Sequence, residues 1–330
     1  MESLLKSLNE ADESLIKLFF VKKIVSKKNN DVRYEFTKTC ITPDIGNDLR
    51  LNACDQISKK MGRDIVNYDI LPSHETTVVE TLPFKEVPHL SDFTASLADQ
   101  NLPIITDKDI SKVNGYILRI ENEDNTIYLF KHNTPKELLE KGKMQFIFNK
   151  DEGRFSSLDE TIFALEKIYD AALLLPNFKR AGAPSPKERE NYENTPVYIF
   201  EHSSFEVLFG FKEYFLERIQ SNQKYLDDVG LVDSAETLIK CCGEDGRLIK
   251  KLARILQAKQ LDSMNVEKLK EVAKDYCPKV KFLKGLKDKN EKITVENDTI
   301  REILHLLDDD YAKSEIRNKK CLMISKSEIE

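Results

Sequence analysis

The residues with the clearest chemical potential in this sequence are cations. Arg247, Lys250, Lys251 and Arg254 recur at three- and four-residue spacings, which on a helix place their heads on one face. Lys281, Lys284 and Lys287 follow in a second basic stretch, flanked by Lys279 and Lys289. Ammonium and guanidinium groups gathered in this way neutralise phosphates and release counterions, giving sequence-independent, salt-sensitive affinity for a nucleic-acid backbone. From Lys240 to Lys292 there are fifteen Lys or Arg against eight Asp or Glu, a local +7 in a chain of net charge −6, so the remainder carries −13. An acidic remainder repels DNA everywhere except at the island and would orient binding. An ordinary solvated, lysine-rich surface would carry the same charge.

Other chemistry is excluded by inspection. There is no Gly-x-Gly, no Gly-x-x-x-x-Gly-Lys, no Gly-x-Ser-x-Gly and no His-Glu-x-x-His, which removes dinucleotide, kinase, phosphate-loop, serine-hydrolase and zinc-protease fingerprints. Restriction-type nucleases commonly place a carboxylate two residues before a lysine on a strand, the acid holding a metal and the lysine activating water. No lysine here has Asp or Glu at that position; Glu35 and Lys38 come nearest, on opposite faces of a strand. Asp308-Asp309-Asp310 is read as a solvated turn, because consecutive acids rarely converge on one ion. The six cysteines form no Cys-x-x-Cys, and Cys241 and Cys242 are adjacent, so reduced, buried thiols are expected. No catalytic residue, metal site or cofactor is assigned.

The positioning elements follow from periodicity. With 330 residues, 40% hydrophobic and 33% charged, the chain can bury one large core or two ordinary ones. No stretch reaches the roughly 20 apolar residues of a membrane span, and the acid-bearing N-terminus does not read as a secretory signal. A cytoplasmic chain without direct membrane insertion is expected. A helix to Leu8, a hairpin of Leu15–Val25 with Asp31–Cys40, a helix from Ile45 ending at Gly62 and a strand Ile65–Leu71 are expected first. Residues 72–103 read as mostly loop, with a short helix at Phe93–Leu97.

A second hairpin pairs Tyr116–Ile120 with Thr126–Phe130. It is followed by a helical turn at Pro135–Lys141, a strand at Met144–Asn149, a turn at Asp151–Gly153 and an extended run Thr161–Leu175. Phe178–Pro196, with three prolines, reads as exposed loop. A helix over Phe205–Gln220, boxed by Ser203 and Glu206, comes next. Helices over Ser234–Cys242, Arg247–Lys259, Val266–Ala273 and Asn297–Leu307 follow, with a strand at Cys321–Ser325. The basic helix should bury Leu248, Leu252, Ile255 and Leu256.

The fold class is therefore α+β, with a mixed or antiparallel N-terminal and middle sheet, short helices, and a mainly helical C-terminal region. The domains are read as 1–114 (α/β), 115–178 (β-rich), 179–196 (loop or linker) and 197–330 (helical and basic).

The second half also carries a recognisable series: Ile168-Tyr169-Asp170-Ala171-Ala172-Leu173, then Tyr198-Ile199-Phe200 running into Phe205-Glu206-Val207-Leu208-Phe209. Leu248-Ile249-Lys250-Lys251-Leu252-Ala253 and Asp309-Asp310-Tyr311-Ala312-Lys313-Ser314 complete it, ahead of Ser325-Lys326. Over roughly residues 115–330 it resembles the KwaB family, the soluble component of the Kiwa bacterial antiphage defence system. The resemblance implies a cytoplasmic homodimer that binds double-stranded phage DNA, works with the membrane protein KwaA at the inner membrane, and restrains phage replication and transcription. It supplies no catalytic motif to carry over. Two alternatives stay open: a metal-dependent nuclease with an unrecognised site, and a protein-interaction adaptor whose basic face meets an acidic partner.

Overall fold

Runs of apolar residues without strict alternation require strands covered on both faces. Leu18-Phe19-Phe20-Val21 and Tyr116-Ile117-Leu118 are two such runs, and all seven residues are buried. A computed structural model describes residues 1–12, 15–25, 32–69, 78–99, 101–105, 112–132, 146–149, 154–158, 169–177, 185–243, 245–284, 291–314 and 319–322. The fold is α+β. Its sheet strands are β1 (Ile16–Val25), β2 (Val32–Ile41), β3 (Ile65–Asn67), β4 (Val79–Pro83), β5 (Gly115–Glu121), β6 (Asn125–His132), β7 (Phe146–Asn149), β8 (Arg154–Leu158), β9 (Ala171–Pro176) and β10 (Pro196–Ile199). They lie in the order β3-β4-β10-β9-β6-β5-β1-β2-β8-β7. Pairing is antiparallel except for β3 with β4 and β2 with β8.

The chain divides into two compact units, one of Met1–Tyr68 with Thr77–Gly210 and the other of Asp69–Thr76 with Phe211–Glu330. In the first, α1 (Glu2–Asn9) and α2 (Pro43–Ser58) supply Leu4, Leu8, Leu49 and Ile57 to a core with Leu18, Phe20, Leu118 and Leu129 of the sheet. A second cluster is aromatic. Phe93 of α3 (Leu90–Ala98) lies 5.0 Å from Phe36 and 5.0 Å from Phe209 of α5 (His202–Phe209), and Phe209 lies 5.2 Å from Phe130. Both predicted hairpins form, β1 with β2 and β5 with β6. Gly115 is required at the second, since a Cβ there would stand 2.3 Å from the Lys131 carbonyl oxygen.

Several expectations need correction. Within 72–103 the stretch Val79–Pro83 is a strand, paired with β10 as well as β3; Pro83 ends it, as a proline at a strand margin can. Exposed loop was expected at 178–196, yet Pro186–Glu193 forms helix α4, and none of its residues is buried. Its cause is local: Ser185 and Glu188 form a capping box, with Pro186 at the first helical position. The expected helix 205–220 is two helices, because Gly210 adopts φ +69° and ends α5 before α6 (Lys212–Ser221) begins. No side chain caps α5, so the Ser203–Glu206 box does not form. Helix α2 ends with Lys59 as its cap, three residues before Gly62. The expectations at Pro135–Lys141 and Asp151–Gly153, and the first part of Thr161–Leu175, lie outside the described residues.

The second unit is mainly helical. After α6 come α7 (Gln223–Val229), α8 (Ala235–Cys242), α9 (Gly246–Ala258), α10 (Val266–Tyr276) and α11 (Ile300–Leu307). Hairpins β11 (Phe282–Lys284)–β12 (Glu291–Ile293) and β13 (Tyr311–Ser314)–β14 (Lys319–Leu322) complete it. Ser234, Asp245 and Asn265 cap α8, α9 and α10 through their side-chain oxygens. Helix α9 buries Ile249, Leu252, Ala253, Ile255 and Leu256 against α6, α8 and α11. Ile249, not Leu248, holds the inward position.

Candidate nucleic-acid interface

Helix α9 carries the four leading cations, and the fold treats them unequally. Arg247, in the first turn, is exposed, and its guanidinium engages no described residue. Lys250 lies over the Phe215 ring, 6.0 Å from its centroid, a cation–π geometry. Lys251 is turned inward, its side chain 18% exposed. Its ammonium donates to Asp308 and, at 2.6 Å, to Asp310. Arg254, one helical turn on, reaches to 3.8 Å from Asp308 Oδ2. Of the second set, Lys281 pairs with Glu296 at 2.8 Å, and that carboxylate raises its pKa. Lys284 is exposed, opposite Glu291 in the β11–β12 ladder. Glu291 is held low chiefly by Lys270, with Lys284 adding to the effect. Lys287 lies outside the described residues.

The acids that hold Lys251 are those expected to form a solvated turn, and that expectation is corrected. The amide of Asp308 closes the end of α11 on the Leu304 carbonyl. Asp309 then takes a left-handed conformation, φ +50°, which an aspartate tolerates better than most residues. The turn leaves Asp309 exposed and buries Asp308 and Asp310 at 6% and 4% exposure. Gln260 Nε2 donates to Asp308 at 3.1 Å, and His305 Nδ1 lies 2.6 Å from Asp310. Two buried carboxylates are thus met by Lys251, Arg254, Gln260 and His305, as buried charge requires.

Sequence inspection missed a second ionisable constellation, in the first unit. At one end of adjacent strands β4, β10, β9 and β6, Glu80 faces Ile199 and Ala171 faces both Ile199 and Phe130. His202, just beyond β10, has Nδ1 2.6 Å from Glu80 and Nε2 2.5 Å from Glu206. The imidazole is thus flanked by a carboxylate at each ring nitrogen. The Tyr68 hydroxyl donates to Glu206 at 2.7 Å, and its ring stacks on His202 with centroids 4.8 Å apart.

Beside this lies Asp170, fully buried, accepting from Lys131 Nζ at 2.8 Å and from the His132 amide at 2.5 Å. Burial pushes its carboxyl up to about 6, against the pull of Lys131. The His202–Glu206 pair is visible as an i,i+4 spacing, but Glu80 and Asp170 join only through strand pairing. No group of three or more His, Cys, Asp or Glu among the described residues has the geometry to hold a metal ion. Cys54, Cys242 and Cys277 are buried thiols; burial raises all three pKa values and lifts Cys242 to about 12.

These features define an α+β protein whose sheet unit is joined to a helical unit with a basic, partly neutralised helix. Residues 110–317, more than half of the chain, match the family model described as Kiwa protein KwaB-like, and the chain belongs to that family. This associates it with the Kiwa antiphage defence. Searches of curated proteins and of solved structures return no significant match. No helix among the described residues is long and apolar enough to cross a membrane.

Proposed function

We propose that this chain is a cytoplasmic antiphage effector that binds double-stranded phage DNA without sequence preference through the basic surface of its helical unit. The observation that carries this reading is Arg247, an exposed guanidinium without a partner among the described residues, within an island of local charge +7. Lys250 and Lys284 extend the contact, and Lys281 joins by exchanging Glu296 for phosphate. Membership of the KwaB-like family, which associates the chain with the Kiwa defence, supports this reading. On it, a homodimer is recruited to the inner membrane by the membrane protein KwaA and obstructs the bound DNA for replication and transcription. Recognition through phosphates suits a defence that must meet many unrelated genomes.

Binding of the purified chain to a labelled duplex across a salt series tests this, with and without Mg²⁺ and with the DNA inspected afterwards. Affinity should fall steeply with salt and the DNA should stay intact. Arg247→Glu should weaken every duplex about equally, roughly tenfold, and flatten the salt slope by about one. Absence of binding at low salt would defeat the reading in favour of an acidic protein partner. Cut DNA, prevented by chelator, would establish a nuclease instead.

A further inference from the structure

We infer that the Asp308–Asp310 turn is a built-in competitor for DNA phosphate, holding two cations of α9 in an internal contact that the nucleic acid must displace. The inference rests on the DNA-binding reading and specifies how that surface is regulated. Asp308 offers its carboxylate to Lys251, Arg254 and Gln260, while Asp310 takes Lys251 and His305. An ammonium, a guanidinium and an amide converging on one oxyanion form the donor set that binds a phosphate.

The two cations are not sealed in. Lys251 and Arg254 retain 18% and 29% side-chain exposure, and they share the face of α9 that presents Arg247. The competing acids come from a turn fixed at two points, by the Asp308 amide on Leu304 and the Asp310 amide on His305. Asp309, between them, projects to solvent and engages none of these donors. It therefore separates competition by contact from mere negative charge. The turn sets a threshold: Arg247 makes first contact, and Lys251 and Arg254 join only where local phosphate density outcompetes Asp308.

Asp308→Asn keeps the shape and removes the competing charge. It should tighten duplex binding by about threefold to tenfold at low salt and steepen the salt slope by about one. Asp309→Asn, with the same change in net charge, should gain no more than about twofold. Adding Lys251→Met to Asp308→Asn should remove most of the gain. Should Asp308→Asn not fold, Asp310→Asn repeats the test from the other acid.

A measurement on the unaltered chain is also available. A carbodiimide activates a carboxylate that the Lys251 amine then attacks, forming an amide to Asp308 or Asp310 and releasing the urea. Saturating duplex should lower that cross-link severalfold by peptide mass spectrometry. Equal affinities of Asp308→Asn and the wild type, or a cross-link yield unchanged by saturating duplex, would overturn the competitor while leaving DNA binding intact. Failure of wild type and variants alike to bind duplex would instead defeat the DNA-binding reading itself.

Discussion

Two regions hold a similar concentration of ionisable side chains and use it differently. At the sheet end of the first unit, Glu80, His202, Glu206 and Tyr68 close on one another, and Asp170 closes on Lys131 and the His132 amide. On α9 of the second unit the closure is incomplete. Lys251 and Arg254 are met by acids, Lys250 lies on an aromatic ring, and Arg247 faces solvent. Groups fully engaged inside a unit contribute to specifying its fold, whereas exposed charges contribute little to stability and remain available to a ligand. Whether a charge is used internally is decided by its partner, and the partner is often remote in sequence.

The largest effect should come from the closed cluster. His202→Ala removes the ring that both nearly buried glutamates engage, which should cost about 3 kcal/mol in denaturant unfolding. His202→Gln, able to donate to one carboxylate, should recover part of that. If His202→Ala unfolds at the wild-type denaturant concentration, the cluster is not structural and the contrast between the regions collapses.

Next in size is a split within α9. Lys251→Met strands Asp308 and Asp310 with weaker donors and should cost about 2 kcal/mol. Arg247→Ala should stay within about 0.5 kcal/mol of wild type in stability while weakening DNA binding. The same helix face would then separate into one residue whose internal contact holds the unit together until DNA displaces it and one that meets the ligand first. Equal losses of stability from the two substitutions would erase that distinction.

Asp170 supplies a pH test. Its folded pKa, about 6, lies above the ordinary carboxyl value of 3.8 because burial disfavours the anion. The proton therefore binds the folded chain more tightly than the unfolded one. This contribution is fully present below the unfolded pKa and is lost as pH rises through the folded one. Relative to Asp170→Asn, wild-type stability should rise by about 2 kcal/mol between pH 7 and pH 4. Parallel pH profiles for the two proteins would show that Lys131 and the His132 amide hold the anion more firmly than burial opposes it.

What could be read in the sequence divides along the same line. Apolar runs made β1, β5, β6 and β9 visible, and the three- and four-residue spacing placed Lys250 and Lys251 on a helix face. The positions of Asp308 and Asp310 opposite Lys251 are set by the packing of α11 on α9 and by one left-handed residue, Asp309, and none of these is a local pattern. Glu80 reaches His202 only because β4 pairs with β10. Strand β4 itself was masked by the polar, proline-rich composition around it. The error at 178–196 is different, because there the signal was local and was outweighed by the prolines.

That last segment gives the smallest and most local test. Helix α4 buries none of its residues fully and packs chiefly through the half-buried Tyr192 ring, 5.1 Å from Phe84, at its far end. Its two cap hydrogen bonds therefore matter correspondingly more at its start. The Glu188 amide donates to Ser185 Oγ at 3.3 Å, and the Ser185 amide donates to Glu188 at 2.8 Å. Pro186 has no amide hydrogen to lose at the first position and arrives with φ already set for a helix. Ser185→Ala should therefore cost about 1 kcal/mol of helix stability. The loss should appear as faster amide exchange at Arg189–Asn194 with the global unfolding midpoint almost unchanged. Exchange in wild type already as fast as in an unstructured peptide would mean that the prolines were read correctly and that the capping box does not hold the helix in solution. Protection that Ser185→Ala abolishes would show that two hydrogen bonds and a proline are enough to turn an exposed connector into a helix.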